Sequence, residues 1–230
     1  MVKKIALVIM LIAGMAATPA LAGPIGDTGS FNYTRIGGYY AGNGGEFTAY
    51  NLSGLDIDGY TAGLSSNIAN PASFQTFCLE TGEYTANPMY FVVASGASAG
   101  GVGGTDPISM GTAWLYSQFA LGTLSNYFTG TRSVEAGLLQ NAFWYLEGEG
   151  GAQNAYTAAA ASQFGGLANA MSSAAPGYLD VYVLNNYSDA NRTVKAQDWL
   201  YRTVPDGGAT LMLLGGALMG LGALRRKLGR

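Results

Sequence analysis

Residues 31–50, FNYTRIGGYYAGNGGEFTAY, decide the fold class. Aromatic and β-branched residues, which favour strands, are interrupted by Gly37-Gly38 and by the run Gly42–Gly45. Such clusters favour tight chain reversals between strands. Short strand-forming segments follow at residues 74–79 and 90–94. The pattern predicts an antiparallel sheet that is rich in hairpins.

The middle of the chain changes to a helical pattern, with apolar residues three and four positions apart. Thr112 and Ser133 are residue types that cap helix N-termini. The predicted helices cover residues 113–120, 134–149 and 152–167, and Gly165-Gly166 interrupts the last one. Residues 178–187 alternate and predict a returning strand. The sequence therefore predicts the α+β class: an antiparallel β-rich domain with inserted helices.

The N-terminus carries a pattern typical of a secretory signal peptide. Lys3 and Lys4 precede an apolar run over residues 5–17, and the small residues Ala20 and Ala22 mark a cleavage site. A permanent membrane anchor is the alternative, but the apolar run is short for a membrane span. We expect residues 1–22 to form a signal helix that signal peptidase removes.

The C-terminus combines a short motif, an apolar run and a basic end. The motif is Val204-Pro205-Asp206-Gly207-Gly208, and the basic end begins with Arg225, Arg226 and Lys227. As a helix, residues 209–224 would rise about 24 Å, and the preceding glycines extend this toward the roughly 30 Å of a bilayer core. We expect a transmembrane helix over residues 207–224 whose basic end stays in the cytoplasm.

This tail resembles the PEP-CTERM class of sorting signals in its VPDSG-CTERM variant, with Gly207 where that variant has serine. The resemblance implies export, recognition of the tail by an exosortase-type processing enzyme, and exopolysaccharide as a partner. The chain then divides into the signal peptide 1–22, an extracellular α+β domain at 23–203 and a sorting signal at 204–230. We expect the protein to be anchored in the membrane by its C-terminus at first. Afterwards we expect it at the cell surface or in the extracellular matrix. A plain tail anchor without processing is the alternative.

Composition limits the chemistry that this domain can perform. The chain has no histidine, and Cys78 is its only cysteine, which excludes histidine-based triads and cysteine-based zinc sites. Six of the eleven basic residues lie in the two end segments, so residues 23–206 carry five basic and fourteen acidic residues. A net charge near −9 disfavours nucleic acid as a partner. We expect no cofactor, no metal site and no enzymatic activity.

Two segments are the candidates for a functional site. Phe77-Cys78-Leu79-Glu80 ends a predicted strand, and residues 139–146, LQNAFWYL, lie on the second predicted helix. An unpaired thiol in an exported protein is usually buried, bonded to another group or destined for another chain. Cys78 therefore needs a partner or a buried position.

The two segments resemble the surface thioester domains of Gram-positive adhesins, in which an aromatic-Cys segment precedes a Thr-Gln-x-Ala-aliphatic-Trp helix. Ala142 and Trp144 match that helix motif. The resemblance implies an internal thioester between the Cys78 sulfur and the Gln140 side-chain carbonyl. Such a bond acylates amines or hydroxyls on a neighbouring surface and would serve covalent adhesion.

Three aromatic residues are candidates to shield this bond from water. Phe143 and Trp144 stand three and four positions after Gln140 and share its helix face, and Phe77 adjoins Cys78. The same residues also suit an ordinary core with an inert buried thiol. The alternatives therefore stay open: a structural or carbohydrate-binding matrix component with an unreactive thiol, or a thiol that pairs with another chain.

Carboxylates offer weaker candidates for function. Asp56-Ile57-Asp58-Gly59 has a fragment of calcium-loop spacing without the remaining ligands, so a polar turn is predicted. Glu80 with Glu83, and Glu147 with Glu149, would suit a glycosidase if they faced each other across a cleft. Solvated turns explain these pairs equally well.

Overall fold

The computed structural model describes residues 24–55, 73–98, 106–129, 131–203 and 225. Several predictions lie outside these residues: the signal peptide with Ala20 and Ala22, the segment 56–59, the motif 204–208, the transmembrane helix 207–224, and Arg226 with Lys227. None of the helices in the described ranges is long and apolar enough to cross a membrane.

Antiparallel strands dominate the described part of the chain. They are β1 (Thr28–Ala41), β2 (Gly44–Ser53), β3 (Ser73–Thr76), β4 (Met89–Ala94), β5 (Gly96–Ala97), β6 (Asp106–Pro107), β7 (Val181–Tyr187) and β8 (Trp199–Arg202). Six of them form one sheet in the order β3-β2-β1-β4-β7-β8, while β5 and β6 form a separate pair. The predicted antiparallel, β-rich character is confirmed.

β1 and β2 form the predicted hairpin, with Ala41 paired to Gly44 across a two-residue turn. Gly42 in that turn has a φ of +52°, which favours glycine. Gly37-Gly38 does not reverse the chain. It lies within β1, where residues 36–39 bulge opposite a single residue of β2 before pairing resumes at Tyr40. The glycines therefore bend one long strand instead of separating two short ones.

The sheet closes on itself because the chain continues past β3 to pair with β8. The Leu200 N–H donates to the Phe77 carbonyl (3.2 Å), and the Leu79 N–H donates to the Asp198 carbonyl (3.1 Å). These bonds flank an antiparallel bridge between Cys78 and Trp199. The two ends of the six-stranded sheet thereby meet, as in a small barrel.

Two buried clusters lie on opposite faces of this curled sheet. Inside it, the Trp199 ring stacks on Phe31 and Phe47, with ring centroids 5.3 and 5.0 Å away. Outside it, the helices cover Phe77 and Leu79, which belong to the second cluster. Cys78, between them in sequence, belongs to the inner cluster, as strand alternation requires.

The helices are α1 (Met110–Ala120), α2 (Arg132–Leu146), α3 (Ala155–Phe164) and α4 (Leu167–Ala170), followed by a 3₁₀ turn at Tyr178–Asp180. The Ser109 hydroxyl, and not Thr112, caps α1 by accepting from the Thr112 N–H. α2 likewise starts before Ser133, after Thr131, without a side-chain cap. Gly165 ends α3 in the left-handed conformation, where the sequence predicts an interruption.

Candidate functional site

The Gln140 side chain lies between two strands at the point where their pairing stops. The last pair between β2 and β3 is Phe47 with Thr76, so the same register, continued by two residues, would place Gly45 opposite Cys78. The carboxamide of Gln140, which is completely buried, occupies that gap. Helix α2 lies close enough to the sheet to place the carboxamide there, because the helix packs on β1 at Gly137. A Cβ added at Gly137 would lie 3.2 Å from the Tyr40 carbonyl oxygen.

The Gln140 carboxamide bonds to the backbone on both sides of the gap. Its Oε1 accepts from the Gly45 N–H (2.9 Å) and from the Cys78 N–H (3.1 Å). Its Nε2 donates to the Cys78 carbonyl (2.8 Å). Two N–H groups thus converge on one carbonyl oxygen, as the paired donors of an oxyanion hole do.

Gly44 leaves room for this arrangement. A Cβ on Gly44 would lie 2.4 Å from the Trp144 ring and 2.9 Å from the Gln140 Cδ. Gly45 has a φ of +142°, and a Cβ there would lie 2.3 Å from the Tyr39 carbonyl. Both positions of the Gly44-Gly45 pair therefore require glycine, in addition to the role in a turn that the sequence suggests.

The Cys78 thiol is buried beside Trp199 on the inner face of the sheet. Burial raises the pKa of this thiol to about 12, and the neighbouring Trp199 and Arg35 offset only part of the rise. The Trp199 Nε1 has no hydrogen-bond partner of normal geometry, so its effect on the sulfur is that of a nearby dipole. The thiol therefore keeps its proton at neutral pH.

The three aromatic residues expected to act as shields occupy two places. Phe77 and Phe143 are fully buried and contact each other edge to face, with ring centroids 5.3 Å apart. Trp144 borders an open cleft that Gly44, Cys78 and other residues also line. Phe77 and Phe143 therefore close the helix side of the site, and the Trp144 indole separates Gln140 from the cleft.

Three carboxylates meet beside the same cleft, which Glu80 and Glu83 line. Oxygen atoms of Glu80, Glu83 and Asp198 all lie within 4.8 Å of one another. The structure thus brings the predicted pair Glu80 and Glu83 together and adds Asp198, which lies more than a hundred residues away in sequence. No sequence pattern marks Asp198 as a member of this group, because its position follows from the pairing of β8 with the end of β3.

The environments of these carboxylates differ. Asp198 accepts from the Asn186 N–H (2.9 Å), the Ser98 N–H (2.8 Å) and the Ser98 hydroxyl (3.1 Å). Burial raises its pKa to about 6. Burial and the nearby Asp198 raise the pKa of Glu80 to about 10. Glu80 is therefore the member of the group that is least able to carry a charge alone.

In the second predicted carboxylate pair, Glu147 with Glu149, one residue has a structural role. Glu147 accepts from the Ser109 N–H (3.1 Å) and hydroxyl (2.7 Å) at the N-terminus of α1. Burial raises its pKa to about 7 despite these bonds. Glu147 thus fixes the start of α1 against the end of α2.

Comparison with known proteins identifies the tail. Residues 203–228 match the VPDSG-CTERM motif. No curated protein and no solved structure matches the chain. The motif bears out the predicted sorting signal and indicates an exported protein that an exosortase-type system sorts. The resemblance to thioester adhesins gains no support from these comparisons and rests on the residues of the site.

Proposed function

We propose that this exported protein forms an internal thioester between Cys78 and Gln140 and uses it for covalent attachment to a neighbouring surface. The observation that carries the proposal is the position of the Gln140 carboxamide. Its carbonyl oxygen accepts from two backbone N–H groups, and one of these belongs to Cys78 itself. The electrophilic carbon is thereby held against the residue that supplies the nucleophile.

The bond-forming step exchanges an amide for a thioester. The Cys78 sulfur adds to the Gln140 Cδ, the Cδ–Nε2 bond breaks, and the nitrogen leaves as ammonia with the proton of the thiol. Negative charge develops on Oε1 during addition, where the Gly45 and Cys78 N–H groups point. Because the thiol has a raised pKa, the reaction needs this fixed geometry. It proceeds once per molecule, because the carboxamide is consumed.

The second step transfers the acyl group to a target. A primary amine attacks Cδ, the bond between Cδ and the Cys78 sulfur breaks, and the thiol recovers a proton from the amine. The product is an amide that joins Gln140 to the target, and the protein is consumed as a reagent instead of turning over as an enzyme. The Trp144 indole, at the cleft, keeps water from the bond until a target enters.

Labelling with a small amine tests this chemistry. The full chain is incubated with methylamine, digested, and analysed for the modified residue and for released thiol. We expect methylamine on Gln140, together with one new thiol per chain at Cys78. Cys78→Ala should abolish labelling, whereas Gln153→Ala, which changes an exposed glutamine, should leave it intact. Methylamine on several glutamines, or none on Gln140, would contradict the proposal.

A second candidate function is a structural or carbohydrate-binding component of the extracellular matrix. Two observations favour it. The Cys78 thiol is buried with a pKa of about 12, which suits an inert core residue. Tyr84 exposes 83% of its surface and Tyr40 exposes 46%, and exposed rings of this kind stack on sugars. In this case the thiol would be free in every molecule and would react only after unfolding.

A further inference from the structure

The carboxylate group at the cleft contains a side chain that the protein leaves without a partner. Glu80 is only 7% exposed. Neither of its carboxylate oxygens has a hydrogen-bond partner outside the acidic group, although both are shielded from solvent. Within the described residues, no lysine or arginine forms an ion pair with it. A buried carboxylate in this condition is strongly unfavourable unless another group binds it.

Neighbouring carboxylates make the burial of a charged Glu80 still less favourable. The Glu83 and Asp198 oxygens lie within 4.8 Å, and Glu149 adds a further negative charge nearby. Glu83 accepts from the Asp198 N–H (3.3 Å), which holds these two residues in place beside Glu80. Three acidic side chains therefore bring carboxylate oxygens together at one place.

The chemistry of the donors defines the ligand that would fit. All three offer carboxylate oxygens, which are the ligands of hard divalent cations. Ca²⁺ takes six to eight oxygen ligands at about 2.3–2.6 Å in flexible geometry, so three carboxylates leave positions for water and backbone carbonyls. Mg²⁺ demands a near-ideal octahedron and gives up water reluctantly, which suits this group less.

We propose that Glu80, Glu83 and Asp198 bind one Ca²⁺ ion. The ion would join the loop that follows β3 to the residue that precedes β8, and so would strengthen the place where the sheet closes. This site is independent of the thioester, because none of its ligands is Cys78 or Gln140. It differs from the segment 56–59, which is the calcium-loop fragment that the sequence shows.

The test is a calcium titration of the full chain in detergent after treatment with EGTA. We expect one Ca²⁺ per chain by calorimetry, weaker binding of Mg²⁺, and a rise in Tm of about 5 °C at a calcium concentration 100-fold above Kd. Glu80→Gln and Glu83→Gln should each abolish the rise. Asp27→Asn, a change to an exposed aspartate outside the cleft, should keep it.

Two variants separate calcium binding from misfolding and from the thioester. Glu80→Gln should be about as stable as the wild-type protein in EGTA, because glutamine is uncharged and similar in size, so its loss of calcium response cannot be ascribed to misfolding. Cys78→Ala should retain the response, which separates this site from the thioester. A wild-type Tm that calcium does not change, or an equal rise in Glu80→Gln, would overturn the proposal and leave a carboxylate pair that shares a proton.

Discussion

Gly44 illustrates how a single missing side chain makes the site possible. The hairpin turn would tolerate other residues at this strand position, but the Trp144 ring and the Gln140 carboxamide fill the space where a Cβ would stand. The absence of a side chain at Gly44 thus leaves room for the Gln140 carboxamide, and the proposed acyl transfer depends on it.

Gly44→Ala is expected to destabilise the fold by about 1–3 kcal/mol, because the new methyl group must displace the Trp144 ring. Urea unfolding followed by tryptophan fluorescence measures the change. Gly37→Ala is the matched control, since a Cβ at Gly37 meets nothing within 4 Å. Equal stability of the two variants would show that Trp144 does not pack on Gly44.

The residues of the site were partly predictable. Cys78 and Gln140 lie in recognisable motifs, and the structure bonds the Gln140 carboxamide to the Cys78 backbone. The two N–H donors to Oε1 were not predictable, because they are backbone groups whose convergence depends on the register between β2 and β3. Glu80 and Glu83 are close in sequence, whereas Asp198 joins them only through the closure of the sheet.

Helix α2 is attached to the sheet by a buried ion pair at its first residue. Arg132 forms a salt bridge with Glu46 on β2, which is completely buried and also accepts from the Tyr127 hydroxyl. This attachment fixes the N-terminal end of the helix that carries Gln140. The position of the carboxamide therefore depends on a contact two helical turns away.

Arg132→Ala should reduce the free energy of unfolding by about 3 kcal/mol, because it leaves the Glu46 carboxylate buried without its cation. Chemical denaturation monitors the loss. Asp180→Asn serves as the control, since Asp180 pairs with Arg202 while 40% exposed and should change stability by less than about 1 kcal/mol. Similar losses in both variants would contradict the assigned role of the buried pair.

The contact between α1 and α2 should depend on pH through Glu147. Its folded pKa of about 7 lies above the ordinary value of 4.5, so its contribution to stability is complete below pH 4.5 and is lost as pH rises through 7. A full shift would be worth about 3 kcal/mol. Because Glu147 is only half-buried as a residue, we expect about 1–2 kcal/mol.

Unfolding free energies at pH 4.5 and pH 8 for the wild-type protein and Glu147→Gln measure this contribution. Glutamine keeps an acceptor for the Ser109 N–H but does not titrate, so the variant should lose less stability between the two pH values. Asp198 and Glu80 also titrate, but they do so in both proteins. Subtracting the change in unfolding free energy of the variant from that of the wild-type protein therefore removes their contributions. Parallel pH profiles would show that Glu147 ionises freely.

Element boundaries show where local sequence patterns stop being informative. The helical and strand periodicities located most elements, but Ser109 starts α1 earlier than expected because Thr112 is buried inside the helix. The strand predicted at 178–187 begins only at Val181, after a 3₁₀ turn. β8 has four consecutive buried residues and no alternation, so nothing in its sequence distinguished it from a loop.

At the scale of the whole molecule, the C-terminal tail indicates where the domain acts. The tail matches a sorting motif, and the acidic domain precedes it. A covalent adhesive bond is useful only outside the cytoplasm, where a foreign surface is available. The proposed chemistry and the indicated export are therefore consistent with each other.

Asp206→Asn is expected to block processing of the tail, because it changes the charged residue of the motif. The variant should remain in the membrane fraction at the full mass of its C-terminus, while the wild-type protein is shortened there. Fractionation followed by mass spectrometry of the C-terminal peptide measures both properties. Asp27→Asn is the control, and identical processing of the Asp206 variant would show that the motif is not read at this position.

The intact mass of the protein tests the central claim most directly. The wild-type chain, purified at neutral pH without amines, should be lighter by one ammonia than the mass calculated from its sequence after processing of both ends. Cys78→Ala and Gln140→Ala should each show the full mass that their sequences require. A wild-type mass equal to the sequence mass, with one thiol titratable after unfolding, would contradict the thioester and leave a matrix protein with a buried cysteine.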